Sequence, residues 1–138
     1  METRGRDEFE TETAAREAFE AAGPTAQTAV REAAKAMGFD REEYEARVTP
    51  AVVETVRDVV FAGGLAVAVG TREEFETWRE DVDLEVTAIG SEHVDHVAWH
   101  AAPFCGEAVA ATFQDEADAA VETLRRQALG RVYRERFG

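Results

Sequence analysis

Apolar residues recur at helical spacing from about position 13 to 62, and short runs of strand length alternate with helical segments through the remaining chain. Residues 13–23 read as a short helix capped by Thr11 or Thr13, with Gly23 at its stop. Pro24-Thr25 restarts the chain, and Ala26, Ala29, Val30, Ala33 and Met37 mark a second helix that Gly38 ends. Asp40 caps a third short helix to Val48, and Thr49-Pro50 opens a fourth that carries Val52, Val53, Val56, Val59 and Val60 on one face before Gly63-Gly64. Leu65 to Val69 then reads as a strand. Thr71 and Glu74 form a capping box for a helix to about Glu80, with Phe75 and Trp78 inward, and Leu84 to Ile89 reads as a second strand.

Residues 94–102 and 107–113 form a predicted hairpin around Pro103-Phe104-Cys105-Gly106. Counting across that turn sets His96 beside Phe113 and His100 beside Val109. Asp115 is the expected cap of a last helix with Ala117, Val121, Leu124 and Ala128 inward; Gly130 either ends or interrupts it. The expected fold is α+β in one domain, 1–138: a frayed start (1–11), a helical part with about four short helices (12–63), and a strand-helix-strand-strand-strand-helix part (64–138). Its sheet is small and mostly antiparallel. Helices cover both faces, the N-terminal helices one and the last helix the other.

The candidate chemistry is concentrated. His93, Asp95, His96, His100, Cys105 and Glu107 bring together all three histidines and the single cysteine. On a helix, positions 93, 96 and 100 would share a face and could hold a metal. On a strand, His96 and His100 stand about 13 Å apart and cannot easily share an ion. The strand reading therefore predicts packing histidines, no metal and no cofactor. No nucleophile motif frames Cys105, no catalytic residue can be assigned, and a lone cysteine excludes an intrachain disulfide.

Charge changes the picture. Acidic residues number 29 against 15 basic, a net charge of −14, and Lys35 is the only lysine. The acids are spread along the chain instead of forming a tail. Such self-repulsion suits a salt-rich solvent, in which screening acts over about 3 Å at 1 M. A halophilic protein with an acidic surface is the expectation. No apolar run reaches membrane-spanning length and the N-terminus is acidic, which makes the cytoplasm the expected location.

Four segments carry a resemblance: Gly23-Pro-Thr-Ala-Gln27, residues 34–44 (Ala-Lys-Ala-Met-Gly-Phe-Asp-Arg-Glu-Glu-Tyr), His93-Val-Asp-His-Val-Ala-Trp-His100, and residues 124–133 (Leu-Arg-Arg-Gln-Ala-Leu-Gly-Arg-Val-Tyr). The chain resembles, over nearly its whole length, a small uncharacterised haloarchaeal family. The resemblance implies a halophilic source and brings no activity, ligand or catalytic residue with it.

With no phosphate loop, dinucleotide fingerprint or zinc knuckle, the favoured reading is a non-enzymatic interaction or assembly module whose partner is another protein or the chain itself. One alternative is a winged-helix-like nucleic-acid binder. It is weakened because the candidate recognition helix carries Asp40, Glu42, Glu43 and Glu45 against Arg41 and Arg47. The other is a small enzyme or metal protein built on the 93–107 cluster.

The acidity makes stability depend on salt. The unfolding midpoint should rise clearly from about 0.1 to 2 M KCl, as the Debye length shrinks from about 10 Å to below about 3 Å. A flat or falling midpoint in thermal melts would refute the halophilic reading.

Overall fold

Thr11 starts the first long element. Its hydroxyl accepts from the Ala14 N–H at 3.1 Å, and helix α1 runs unbroken over Glu12–Ala36. A computed structural model of the protein describes all residues, 1–138. The two helices expected on either side of Gly23-Pro24 are therefore one. Ala15, Phe19, Ala22, Ala26, Val30 and Ala34 make a buried stripe that stays in phase across Pro24. Proline removes only the N–H that would bond the Glu20 carbonyl, and both residues face solvent, where water can replace that bond. Continuous packing outweighs the local breaker.

Gly38, at φ +74°, then turns the chain. Asp40 caps α2 (Arg41–Arg47), and Thr49 caps α3 (Pro50–Gly63) with Pro50 in its first turn. Side-chain caps satisfy N–H groups that a helix start leaves unpaired, and all these caps stand where the sequence places them.

The sheet has five strands: β1 (Glu2–Arg4), β2 (Val67–Thr71), β3 (Glu85–Ile89), β4 (His96–Ala102) and β5 (Glu107–Phe113), in spatial order β1-β2-β4-β5-β3. Only the β3–β5 pairing is parallel. The hairpin register is the expected one, with His96 opposite Phe113 and His100 opposite Val109. Gly106, at φ +71°, closes its turn.

The first eleven residues lie along the edge of the sheet. β1 pairs antiparallel with β2, the Arg6 and Asp7 N–H groups donate to the Gly64 carbonyl, and Phe9 is buried. Gly5, at φ +86°, permits this approach: a Cβ there would lie 2.5 Å from the Leu65 carbonyl oxygen. An edge strand of three mostly polar residues has no periodicity to read.

Between β2 and β3 lies α4 (Arg72–Asp81), held by the reciprocal Thr71–Glu74 capping box. After β5 come α5 (Ala117–Ala128), a π turn (Leu129–Tyr133) and α6 (Arg134–Phe137). Gly130 thus interrupts the last helix without ending it. The N-cap is Glu116 with no side-chain cap, in place of the expected Asp115.

The faces are also allotted differently from expectation. α5 crosses β2, β4 and β5 on the same side as α1 and α3, and the larger core fills that side. α4 covers the other face. There Phe75 packs beside Val97, Trp99 and Ala110, with Trp78 against them. The sheet's odd-numbered β4 face is aromatic and its even-numbered face carries alanines, so each matches the helix set that covers it. No helix is long and apolar enough to cross a membrane.

Trp99 is 2% exposed, with its ring 5.2 Å from Phe75 and 5.6 Å from Trp78. Trp99→Ala should cost about 3–5 kcal/mol of stability in denaturant unfolding, as deletion of a well-packed aromatic does. A change below about 1 kcal/mol would show that α4 repacks freely over the sheet.

Candidate functional site

The strand over residues 96–102 separates the chemistry-bearing side chains. His93 stands in the turn before β4, its N–H donating to Ser91 Oγ at 3.1 Å. Asp95 is exposed beside it. His96 is exposed at the start of β4 and stacks on Phe113 at 5.4 Å. His100 lies further along the same strand face and is 1% exposed. No three His, Cys, Asp or Glu side chains converge as a metal would require.

Cys105 sits in the hairpin turn and its thiol donates to the Ala102 carbonyl at 3.6 Å. Burial, with Glu107 beside it, pushes the thiol pKa up and keeps it protonated. Glu107 itself binds Arg136 at 2.7 Å. Of the six candidates, Cys105 and Glu107 are brought together; His93, Asp95 and His96 remain near the opposite end of the hairpin.

His100 instead has a partner that sequence reasoning missed. Its Nδ1 lies 2.7 Å from the Ala66 carbonyl oxygen and its Nε2 lies 2.6 Å from the Tyr133 hydroxyl. A carbonyl only accepts, so Nδ1 carries the proton and donates; neutral Nε2 then accepts from the tyrosine O–H. Burial lowers the His100 pKa and raises that of Tyr133. Arg125 adds to the lowering at His100. Buried at 9% exposure, Arg125 donates from Nε to the Leu65 carbonyl at 3.0 Å and pairs with Glu122 at 2.7 Å. A charged residue one position after the inward Leu124 was the available signal for it. These groups tie β2 and β4 to the last helix, and every strong donor and acceptor of His100 is already used.

The hairpin is also the interior of the sheet, flanked by β2 and β3. It cannot protrude as the wing of a winged helix.

An apolar groove lies elsewhere, on an arm made of α1, α2 and α3. Beyond Phe19, α1 packs chiefly along α3, and α2, which buries no residue, caps the far end. Between α1 and α3 runs a groove of about 440 Å³, lined by Ala29, Ala33, Met37, Phe39, Val52 and Val56 among others, with Arg47 the one charged lining residue. The Arg47 guanidinium lies over the Phe39 ring at 5.4 Å, which orders the groove's end. Past Val48, a more polar cleft of about 580 Å³ opens beside Gln27, Arg31, Tyr44, Glu54 and Arg57.

Three of the four exposed large apolar side chains are on this arm: Met37 at 67%, Val59 at 61% and Val52 at 40%. Ala21 to Val30 is ten residues without a charge, and only Ala22, Ala26 and Val30 of them are buried. Residues 21–63 hold five basic and seven acidic side chains, net −2, which leaves −12 on the rest of the chain.

The histidine contact sets a pH dependence. Unfolded histidine titrates near 6.5, whereas folded His100 resists protonation, so below that pH the unfolded chain binds more protons and gains population. Urea unfolding should show stability falling as pH drops through about 6.5, with the slope reduced in His100→Gln. Tyr133→Phe, which strips Nε2 of its donor, should cost about 1–3 kcal/mol at neutral pH. A pH-independent midpoint between about 7.5 and 5.5 would contradict the neutral buried imidazole.

No curated protein and no solved structure matches the chain significantly. A family model does, over residues 6–134, nearly the full length, and the chain accordingly belongs to the family of unknown function DUF5809.

Proposed function

We propose that this protein is a non-enzymatic interaction module that docks an apolar helix face of another polypeptide into the α1–α3 groove. The observation that carries this reading is the groove itself, whose lining is apolar apart from Arg47, in a chain of which 32% is charged. Exposed apolar patches in such a chain cost solubility and persist where a partner covers them. The groove has the form of a helix-in-groove site, flanked by two walls, α1 and α3. A groove lining that is apolar apart from Arg47 selects a partner face that is itself apolar and not basic, although the chain's net charge of −14 would otherwise favour a basic one. The 93–107 cluster serves the sheet in this reading: His100 is consumed by structural hydrogen bonds and the Cys105 thiol is protonated.

Groove accessibility can be read with a hydrophobic fluorophore, anilinonaphthalene sulfonate, at low micromolar protein in molar KCl. Saturable fluorescence enhancement is expected, and it should be largely lost in Met37→Glu/Val52→Glu while circular dichroism stays unchanged. Enhancement that is absent, or indifferent to both substitutions, would remove the docking surface.

A further inference from the structure

We infer that the polar cleft past Val48 is a binding site for a small organic carboxylate. This goes beyond the docking role of the apolar groove and does not depend on it.

Three helices converge on the cleft. Gly23, Gln27 and Arg31 recur every fourth residue along one face of α1, Tyr44 comes from α2, and Val53, Glu54 and Arg57 come from α3. Donors are in excess there. No internal hydrogen bond uses the side chains of Gln27, Arg31 or Tyr44. Arg31 also pairs with no carboxylate, in a chain where acidic residues outnumber basic ones by 29 to 15.

Arg57 is the more telling group. Its side chain is only 25% exposed, yet it makes a single hydrogen bond, from Nη2 to Asp58 Oδ1 at 3.2 Å. Asp58 is shared with Arg134. Glu54 stands 3.7 Å from Nη2, beyond hydrogen-bond reach, and Nε is shut away from solvent without a partner. The guanidinium lies over the Phe19 ring, 4.6 Å from its centroid, which fixes its plane. A largely buried guanidinium with so few acceptors is stabilised by a further acceptor placed in the cleft.

Charge and shape select the acceptor. Arg31 and Arg57 against Glu54 leave the lining one net positive charge, which matches a monoanion better than a phosphate dianion. Planar guanidinium forks fit a carboxylate. Val48, Pro50, Val53 and the Tyr44 ring offer apolar surface to a hydrocarbon body, and about 580 Å³ has room for one. Gly23 keeps the edge open. A Cβ there would meet nothing within 4 Å, so no packing demands the glycine, although glycine inside a helix costs stability.

Potassium benzoate titrated into the isotope-labelled full chain in molar KCl tests this by amide resonance shifts. Saturable shifts are expected at Gln27, Arg31, Tyr44 and Arg57, and inorganic phosphate should bind more weakly. Arg31→Gln, at an exposed position, should weaken benzoate binding about tenfold. Gly23→Leu should also weaken it while the melting temperature holds or rises. Arg126→Gln, which removes an exposed arginine of α5, should bind as the unaltered chain does, and so should Met37→Glu/Val52→Glu, which alters the apolar groove. Shifts that do not saturate overturn the site, as does binding indifferent to Arg31→Gln. Equal weakening by Arg31→Gln and Arg126→Gln would trace the effect to bulk charge and overturn it too. Phosphate binding as tightly as benzoate would leave a general anion site and overturn the carboxylate. Affinity lost in Met37→Glu/Val52→Glu but kept in Arg31→Gln would put the benzoate in the groove, against the inference.

Discussion

The hydrogen-bonded line from the Ala66 carbonyl through His100 to the Tyr133 hydroxyl is the constraint on which the two-sided architecture turns. A neutral imidazole in a core is costly unless both nitrogens are paired. Here one pairs with the backbone just before β2 and the other with the π turn of the last helix. Those contacts fix how the helix lies on the sheet. Around them Phe9, Phe61 and Phe104 close on Tyr133 with ring centroids between 5.0 and 6.1 Å, which joins the N-terminal strap, α3 and the hairpin turn to the same point. Phe61 and Phe19 in turn seat α1 and α3.

This arrangement explains why the most chemically suggestive stretch of the chain is architectural. A histidine in an interior strand has no route to solvent, and the hydroxyl that meets it is itself buried. The histidines that keep solvent access, His93 and His96, belong to no group of three metal-ligating side chains. The exposed apolar surface lies instead on the helical arm, whose tip contributes little to the sheet core.

How much of this was legible in the sequence depends on the range of the physics involved. Caps at Asp40, Thr49 and Thr71 were readable because they are satisfied within three residues. The hairpin register was readable because a four-residue loop leaves little freedom. Gly23-Pro24 misled because breaker chemistry is local, whereas the buried stripe that overrides it runs all the way from Ala15 to Ala34. Strand order and the side taken by the last helix were not legible, since they depend on which helix face complements which sheet face. Tyr133 stood in the sequence with nothing to mark its distant partner. The arm's groove was half visible: the valines of α3 showed one apolar face, but only the packed helices reveal that Val52 and Val59 are left outside.

The interior position of β4 and β5 carries a consequence for synthesis. β3 pairs only with β5, and β2 finds its interior neighbour only in β4, so the β2 side of the sheet cannot close before residue 102 has been made, nor the β3 side before residue 113. Residues 1–63 emerge from the ribosome first and have only each other to pack against. The arm is then a hairpin of helices with its apolar seam formed and its sheet still missing. Contacts of long sequence separation must wait, while the local α1–α3 contact need not. During that interval the seam between α1 and α3 is the apolar surface that the emerging chain can already bury.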